Sequence, residues 1–191
     1  PSAELIIESS PIRAFSDMDY SSAGLEVVAD VSGAEVLIGV KEVPIEALIP
    51  NKSYFFFSHT IKKQPYNRKL LQAILDKNIT LYDHETLVNE SNHRLIGFGY
   101  YAGVVGAYNG LRALGLKLNC FELPKATDLN DRAALNAQLD LLTIPNVKIV
   151  LTGSGRVGQG AKEILDHLNI KKVSVDQFIN NSFKEAVYVQ L

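Results

Sequence analysis

Two stretches of the sequence end alike. "VLIGVKEVP", from Val36 to Pro44, places Lys41 and Glu42 after an aliphatic run; "SYFFFSHTIKKQ", from Ser53 to Gln64, places Ser58 and His59 after Tyr54, Phe55, Phe56 and Phe57. A strand that carries titratable groups at its carboxyl end brings them to the rim of a parallel sheet, where open α/β folds bind ligands. Histidine as a type titrates near neutrality, and apolar walls lower the basicity of a lysine. Lys41 and His59 together therefore suit proton transfer to and from an amine or carbonyl in a redox step. Spacing alone leaves a second reading open for both, because charged strand ends are ordinary: Lys41 paired with Glu42, and His59 capping its strand. His84, His93 and His167 read as loop or helix-surface histidines, and no metal motif is present.

A second chemical signal lies in "NVKIVLTGSGRVGQGAKEILDHLNIKKVSVDQF". Val147 to Thr152 read as a strand, Gly153, Gly155 and Gly158 satisfy G-x-G-x-x-G, Ala161 to Leu168 read as a helix, and Lys172 to Val175 as the next strand. In such a turn the first glycine allows the tight bend, the second lets backbone approach a pyrophosphate at the helix amino end, and the third allows close helix packing. Gly153, Gly155, Arg156, Val157 and Gly158 are the expected cofactor-binding set. Asp176, at the expected end of the second strand, lies near the offset of the acid that binds the adenosine ribose, which favours NAD over NADP; the same residue also reads as a solvated aspartate opening a loop. Lys171 and Lys172 are expected at the start of that strand rather than after it and are not taken as a phosphate site.

Other elements must position these groups. "AELIIESS" reads as a short buried strand. Ser16 or Asp17 is expected to cap a short helix ending at Gly24. "LEVVAD", "AEVLIGVKE", "SYFFFSHT" and "ITLYD" read as strands, and "PYNRKLLQAILDKN" as a helix with Leu70, Leu71, Ile74 and Leu75 at helical spacing. Apolar strands alternating with helices predict a parallel sheet covered on both faces. "GYYAGVVGAYNGLRALGLK" is helix-length, with Gly103, Gly106 and Gly110 on one side. Each costs a soluble helix about 1 kcal/mol against alanine, so that side is expected to press on another backbone. A polar loop and an amphipathic helix follow in "LPKATDLNDRAALNAQLDLLTIP"; the domain boundary is placed within Leu123 to Pro145, with the glycine-rich helix itself as the alternative link between domains.

The 191 residues hold 19 lysines and arginines against 21 aspartates and glutamates, which leaves no basic field for a nucleic acid. Cys120 is the single cysteine and suits a reducing, cytoplasmic compartment. Apolar runs fall far short of the roughly 20 residues that span a bilayer, so no membrane is expected. Pro1 opens the sequence without a methionine or a signal pattern, and a start further upstream is expected.

"GVKEVP", "FFFSHTIKKQ", "LYDHETL", "RLIGFGYYAGVVGA" and "VLTGSGRVGQGA", in this order, resemble the lysine-forming saccharopine dehydrogenases, within the alanine dehydrogenase and transhydrogenase superfamily. The resemblance covers nearly the whole chain. It implies an α/β fold: a Rossmann-like substrate domain, residues 1–123 with the glycine-rich linking helix, followed by the start of a Rossmann NAD domain, residues 124–191. Lys41 and His59 match the family's acid and base, Arg94 matches an arginine that holds a substrate carboxylate, and Lys62 and Gln64 belong to the K-x-Q pattern taken as substrate-binding. The implied chemistry is reversible oxidation of saccharopine by NAD to lysine and 2-oxoglutarate, in a monomer or homodimer.

Alternatives are an alanine dehydrogenase-like amino acid dehydrogenase and a non-catalytic nucleotide-binding fragment. The K-x-Q pattern and "FGYYAG" favour the saccharopine branch. The family's first strand is expected before Pro1 and its remaining nucleotide-domain strands after Leu191, so the sequence is expected to be part of a longer chain.

Overall fold

A computed structural model describes residues 3–191; Pro1 and Ser2, where an upstream start is expected, lie outside the described residues. The chain divides into two compact units, the first ending at Gly97 and the second running from Phe98 to Leu191. The boundary expected after Leu123 therefore falls inside the second unit, and the glycine-rich helix belongs with the residues that follow it.

The first unit opens with β1 (Ile6–Glu8), α1 (Asp17–Ser22) and β2 (Glu26–Val28), the two strands pairing in parallel. Ser16 caps α1 through a capping box with Asp19, and Gly24 turns the chain out with φ of +82°. β1 is half-exposed, not buried as its sequence predicts, because its sheet has two strands among the described residues.

A second sheet holds β3 (Val36–Ile38), β4 (Ser53–Phe56) and β5 (Thr80–Asp83) in that order, all parallel, with α2 (Arg68–Asp76) crossing between β4 and β5. Strand alternation sends Tyr54 and Phe56 to one face, where Leu70 and Ile74 of α2 and Leu48 complete a core. Leu71 and Leu75, on the flank of α2, stay exposed. Cover on both faces was expected; among the described residues the opposite face keeps Val36, Ile38 and Tyr82 exposed, and Phe55 stacks on Tyr82 at 4.5 Å.

The second unit is built on α3 (Gly99–Leu118), α4 (Arg132–Leu139), β6 (Lys148–Leu151), α5 (Arg156–His167), β7 (Lys171–Lys172), α6 (Val175–Asn180) and β8 (Val187–Gln190). Its parallel sheet runs β6-β8-β7. α3 and α5 cross at glycines from both sides: a methyl group on Gly103 would fall 1.9 Å from the Val157 carbonyl oxygen, and one on Gly160 would fall 1.9 Å from that of Tyr100. Gly103 thus meets the expectation of backbone contact. Gly106 and Gly110 do not, since nothing lies within 4 Å of either; they line an apolar groove of about 520 Å³ along β6. Val104, Tyr108, Leu111, Leu135, Leu139 and Ile164 form the core of this unit.

Candidate functional site

The three strands of the β3-β4-β5 sheet deliver their titratable residues to one rim. β3 leads to Lys41 and Glu42, β4 to Ser58 and His59, and β5 to Asp83, His84 and Glu85. Asp83 ties the β4 and β5 ends together: it accepts hydrogen bonds from the Ser58 hydroxyl and, at 3.3 Å, from the Ser58 N–H, with both residues buried. The same carboxylate accepts the Glu85 N–H at 2.8 Å. The Ser58 hydroxyl also meets Thr60 Oγ1 at 2.7 Å.

His59 is held in the left-handed region, φ +56°, and Lys63 repeats this at φ +52° on the far side of a single 3-10 turn, Thr60–Lys62. Left-handed backbone is costly for residues with a Cβ and collects where a site requires it. Here it turns the chain sharply after β4 and sets His59 Nδ1 2.5 Å from Glu42 Oε1. A carboxylate only accepts, so the imidazole carries its hydrogen on Nδ1 and leaves Nε2 to exchange a proton. Burial pushes the Glu42 carboxyl up, but the His59 hydrogen bond, a backbone N–H and the charges of His59 and Lys41 outweigh it and leave the group below the usual carboxylate range. Lys41 itself is exposed beside this pair.

Sequence reasoning missed Glu85. Its side chain is 2% exposed, and its Oε1 lies 2.8 Å from Arg94 Nη2 and 3.3 Å from Lys62 Nζ. Two of the expected substrate-binding residues therefore converge on one buried carboxylate. Arg94 reaches it because its segment folds back, with Val88 and Arg94 bridged antiparallel. Two cations on one anion leave a net positive charge, and about half of each cationic side chain stays exposed. Gln64 does not join them. With Thr60, Lys63, Asn67 and Arg68 it lines a separate open pocket of about 560 Å³. His84, expected as a loop or helix-surface histidine, lies in the turn after β5 but is buried there.

In the second unit, Gly153 makes the turn after β6 with φ of +84°, and α5 begins at Arg156, five residues earlier than expected. A methyl group on Gly158 would strike the Gly153 carbonyl oxygen at 2.3 Å, so the third glycine seats the helix on its own turn. Around Gly155 nothing lies within 4 Å of a would-be side chain, and no side chain caps α5 there. Open space over uncapped helical N–H groups fits a dinucleotide pyrophosphate.

Asp176 is not at a strand end. β7 comprises Lys171 and Lys172 themselves, and Ser174 with Gln177 forms a capping box that starts α6, which places Asp176 in its first turn, accepting from Asn180 at 2.8 Å. β8 also separates β7 from β6, and it is Gln190 of β8 that donates to the Gly153 carbonyl, at 3.0 Å. The capping box and this strand order together remove Asp176 from the place that the glycine fingerprint assigns to its acid.

Parallel strands with chemistry at their carboxyl rim, followed by a glycine turn between strand and helix, define an α/β class of fold. The chain belongs to the alanine dehydrogenase/PNT N-terminal domain family, whose pattern it matches over residues 2–105. It is 36% identical to the mitochondrial alpha-aminoadipic semialdehyde synthase of Bos taurus, over 86% of this chain and 20% of that protein. It is 28% identical to the saccharopine dehydrogenase [NAD(+), L-lysine-forming] of Yarrowia lipolytica, over 96% of this chain and 54% of that protein. A solved L-alanine dehydrogenase shares the fold, with a TM-score of 0.59 at 17% identity, covering 97% of this chain and 52% of the other. The chain spans about a fifth of the bovine relative and about half of the Yarrowia relative.

Proposed function

We propose that the chain carries the acid–base centre and part of the dinucleotide site of an NAD-dependent oxidoreductase that converts saccharopine reversibly to lysine and 2-oxoglutarate. The observation that supports it most is the Glu42–His59 pair at 2.5 Å beside Lys41, on the rim that also holds the Lys62–Glu85–Arg94 cluster. Proton handling and carboxylate binding are the two tasks that a carboxylate-bearing secondary amine sets.

In this reading the first unit is the substrate domain and the second the beginning of the NAD domain. Gly153, Gly155, Arg156, Val157 and Gly158 would hold the pyrophosphate of NAD, which when bound accepts the hydride from the substrate carbon. Arg94 and Lys62 bind a substrate carboxylate and orient the carbon that reacts. Lys41 takes the proton from the secondary amine. His59, through Nε2, takes a proton from the water that adds to the oxidised carbon and returns it to the nitrogen, and the hydroxyl proton of the adduct follows the same route as the carbon–nitrogen bond breaks and the carbonyl forms; Glu42 stabilises the imidazolium between those steps. One water is consumed and one proton released per turnover. With Asp176 in α6 and not at a strand end, NAD is favoured over NADP by the similarity to the NAD(+)-linked saccharopine dehydrogenase of Yarrowia lipolytica. The exposed single Cys120 suits a reducing compartment, and a cytoplasmic location is part of the proposal.

The experiment is NADH oxidation by the full-length protein with lysine plus 2-oxoglutarate, against pyruvate plus ammonia. Turnover with the first pair is expected, and Lys41→Met and His59→Gln should each lower it by about 10²–10⁴-fold. Turnover with pyruvate and ammonia alone would move the protein to the alanine dehydrogenase-like reading, and NADH binding with no turnover to the non-catalytic one.

A further inference from the structure

The ladder between β3 and β4 slips by one residue just before Lys41. Gly39 N–H bonds the Phe55 carbonyl at 2.8 Å, so regular parallel pairing would return the Phe57 N–H to the Gly39 carbonyl. Instead the Phe57 N–H bonds the Val40 carbonyl, at 3.1 Å. The Gly39 carbonyl is left out of the ladder, and a one-residue slip changes the face to which the following side chains point. His84, reaching over from the end of β5, meets that carbonyl with Nε2 at 3.2 Å.

We propose that His84 is a positioning residue: it holds the slipped strand end and thereby sets the direction in which Lys41 leaves the sheet. The proposal rests on the reading of Lys41 as a proton-handling group. A carbonyl only accepts, so His84 donates from Nε2, and Nδ1 is buried with no partner among the described residues. The Gly39 bond is thus the polar contact its ring makes. The residue is fixed from two sides, with its backbone N–H bonding the Phe56 carbonyl at 3.1 Å and its ring meeting that of Phe57 in a T-shaped contact at 5.2 Å. Losing the donor would strand the Gly39 carbonyl, and restoring regular pairing would rotate Lys41 away from Glu42 and His59.

His84→Phe keeps the aromatic packing and removes the donor; His84→Gln restores a donor. In His84→Phe, backbone hydrogen exchange at Gly39 and Phe57, the two amides bonded across the slip, should quicken by about tenfold, the worth of one hydrogen bond, while amides of α2 and of the second unit stay as in the wild type. In the active full-length protein kcat should fall by about tenfold or more with KM for NADH unchanged, since misplacement acts on the reacting geometry. His84→Gln should recover both. Wild-type exchange at these amides in His84→Phe, or a loss shared evenly by every amide, overturns the proposal. If the wild type shows no turnover, the proposed function fails while the exchange comparison still decides the role of His84. Should His84→Phe not fold, ¹⁵N shifts of the wild-type imidazole decide it: the Nε2–H tautomer is expected, and Nδ1–H overturns the proposal.

Discussion

Glu42 and His59, 17 residues apart in sequence, meet at 2.5 Å, carboxylate oxygen to Nδ1, because the left-handed turn at His59 folds the end of β4 back toward the end of β3. Burial raises the Glu42 carboxyl, and the His59 hydrogen bond with its neighbouring charges more than reverses that, so folded Glu42 titrates below its ordinary value of 4.5. A depressed carboxyl contributes stability that is present above its unfolded value and is lost as pH falls through the folded one. Glu42→Gln removes this contribution. Urea midpoints of the variant should therefore vary less with pH than those of the wild type in the acid range below about 4.5, and the two should differ by a constant amount above it. Parallel acid limbs for both proteins would show that the pair does not couple to folding.

Glu85 makes a different kind of contact, one buried carboxylate oxygen shared by Lys62 and Arg94. Its charge sets where the two cations sit, and Oε2 makes no bond of its own among the described residues. Glu85→Gln keeps the shape but loses the charge-assisted bonds, which are about twice as strong as neutral ones. KM for the oxo acid should rise by about tenfold while KM for NADH holds. An unchanged KM for the oxo acid would mean that the cluster braces the loop and takes no part in binding.

These two contacts mark the line between what was legible in the sequence and what was not. The position of Lys41 and His59 at one rim of the sheet could be read because each ends its own apolar run, a pattern visible within ten residues. Ser16 and Gly24 were readable for the same reason, as local caps and turns. Glu85 was hidden because its meaning lies in partners from two other segments, and "LYDHETL" gives no sign of them. His84 sits in a loop, as its segment suggests, but its burial follows from reaching across β4, which periodicity does not encode. Asp176 failed locally: the Ser174–Gln177 capping box stops the strand after Lys172, and that S-x-x-Q spacing stood in the sequence.

Glycines on one helix face looked equivalent in sequence and are not. Gly103→Ala puts a methyl 1.9 Å from the Val157 carbonyl oxygen, backbone that cannot move without shifting α5 against α3. Overpacking of this kind costs about 1–3 kcal/mol or more. Gly106→Ala meets nothing within 4 Å and gains helix propensity, so it should stabilise by up to about 1 kcal/mol. Urea unfolding of the two variants checks the contrast, and equal effects at both positions would contradict the packing.

The glycine turn allows a sharper separation, between a residue needed for folding and one needed for a ligand. Gly158→Ala drives a methyl to 2.3 Å from the Gly153 carbonyl oxygen, so the turn must open and the unit should lose stability even with no nucleotide present. Gly155 differs. Its backbone, φ −72° and ψ −170°, is one that alanine adopts freely, and its surroundings are open. Gly155→Ala should therefore unfold at the wild-type urea concentration. Its methyl would nonetheless stand where the pyrophosphate approaches the amino end of α5, so NADH affinity measured by calorimetry should drop by about tenfold or more. Wild-type affinity in a stably folded Gly155→Ala would remove the glycine turn from the nucleotide site and leave it a device for packing α5.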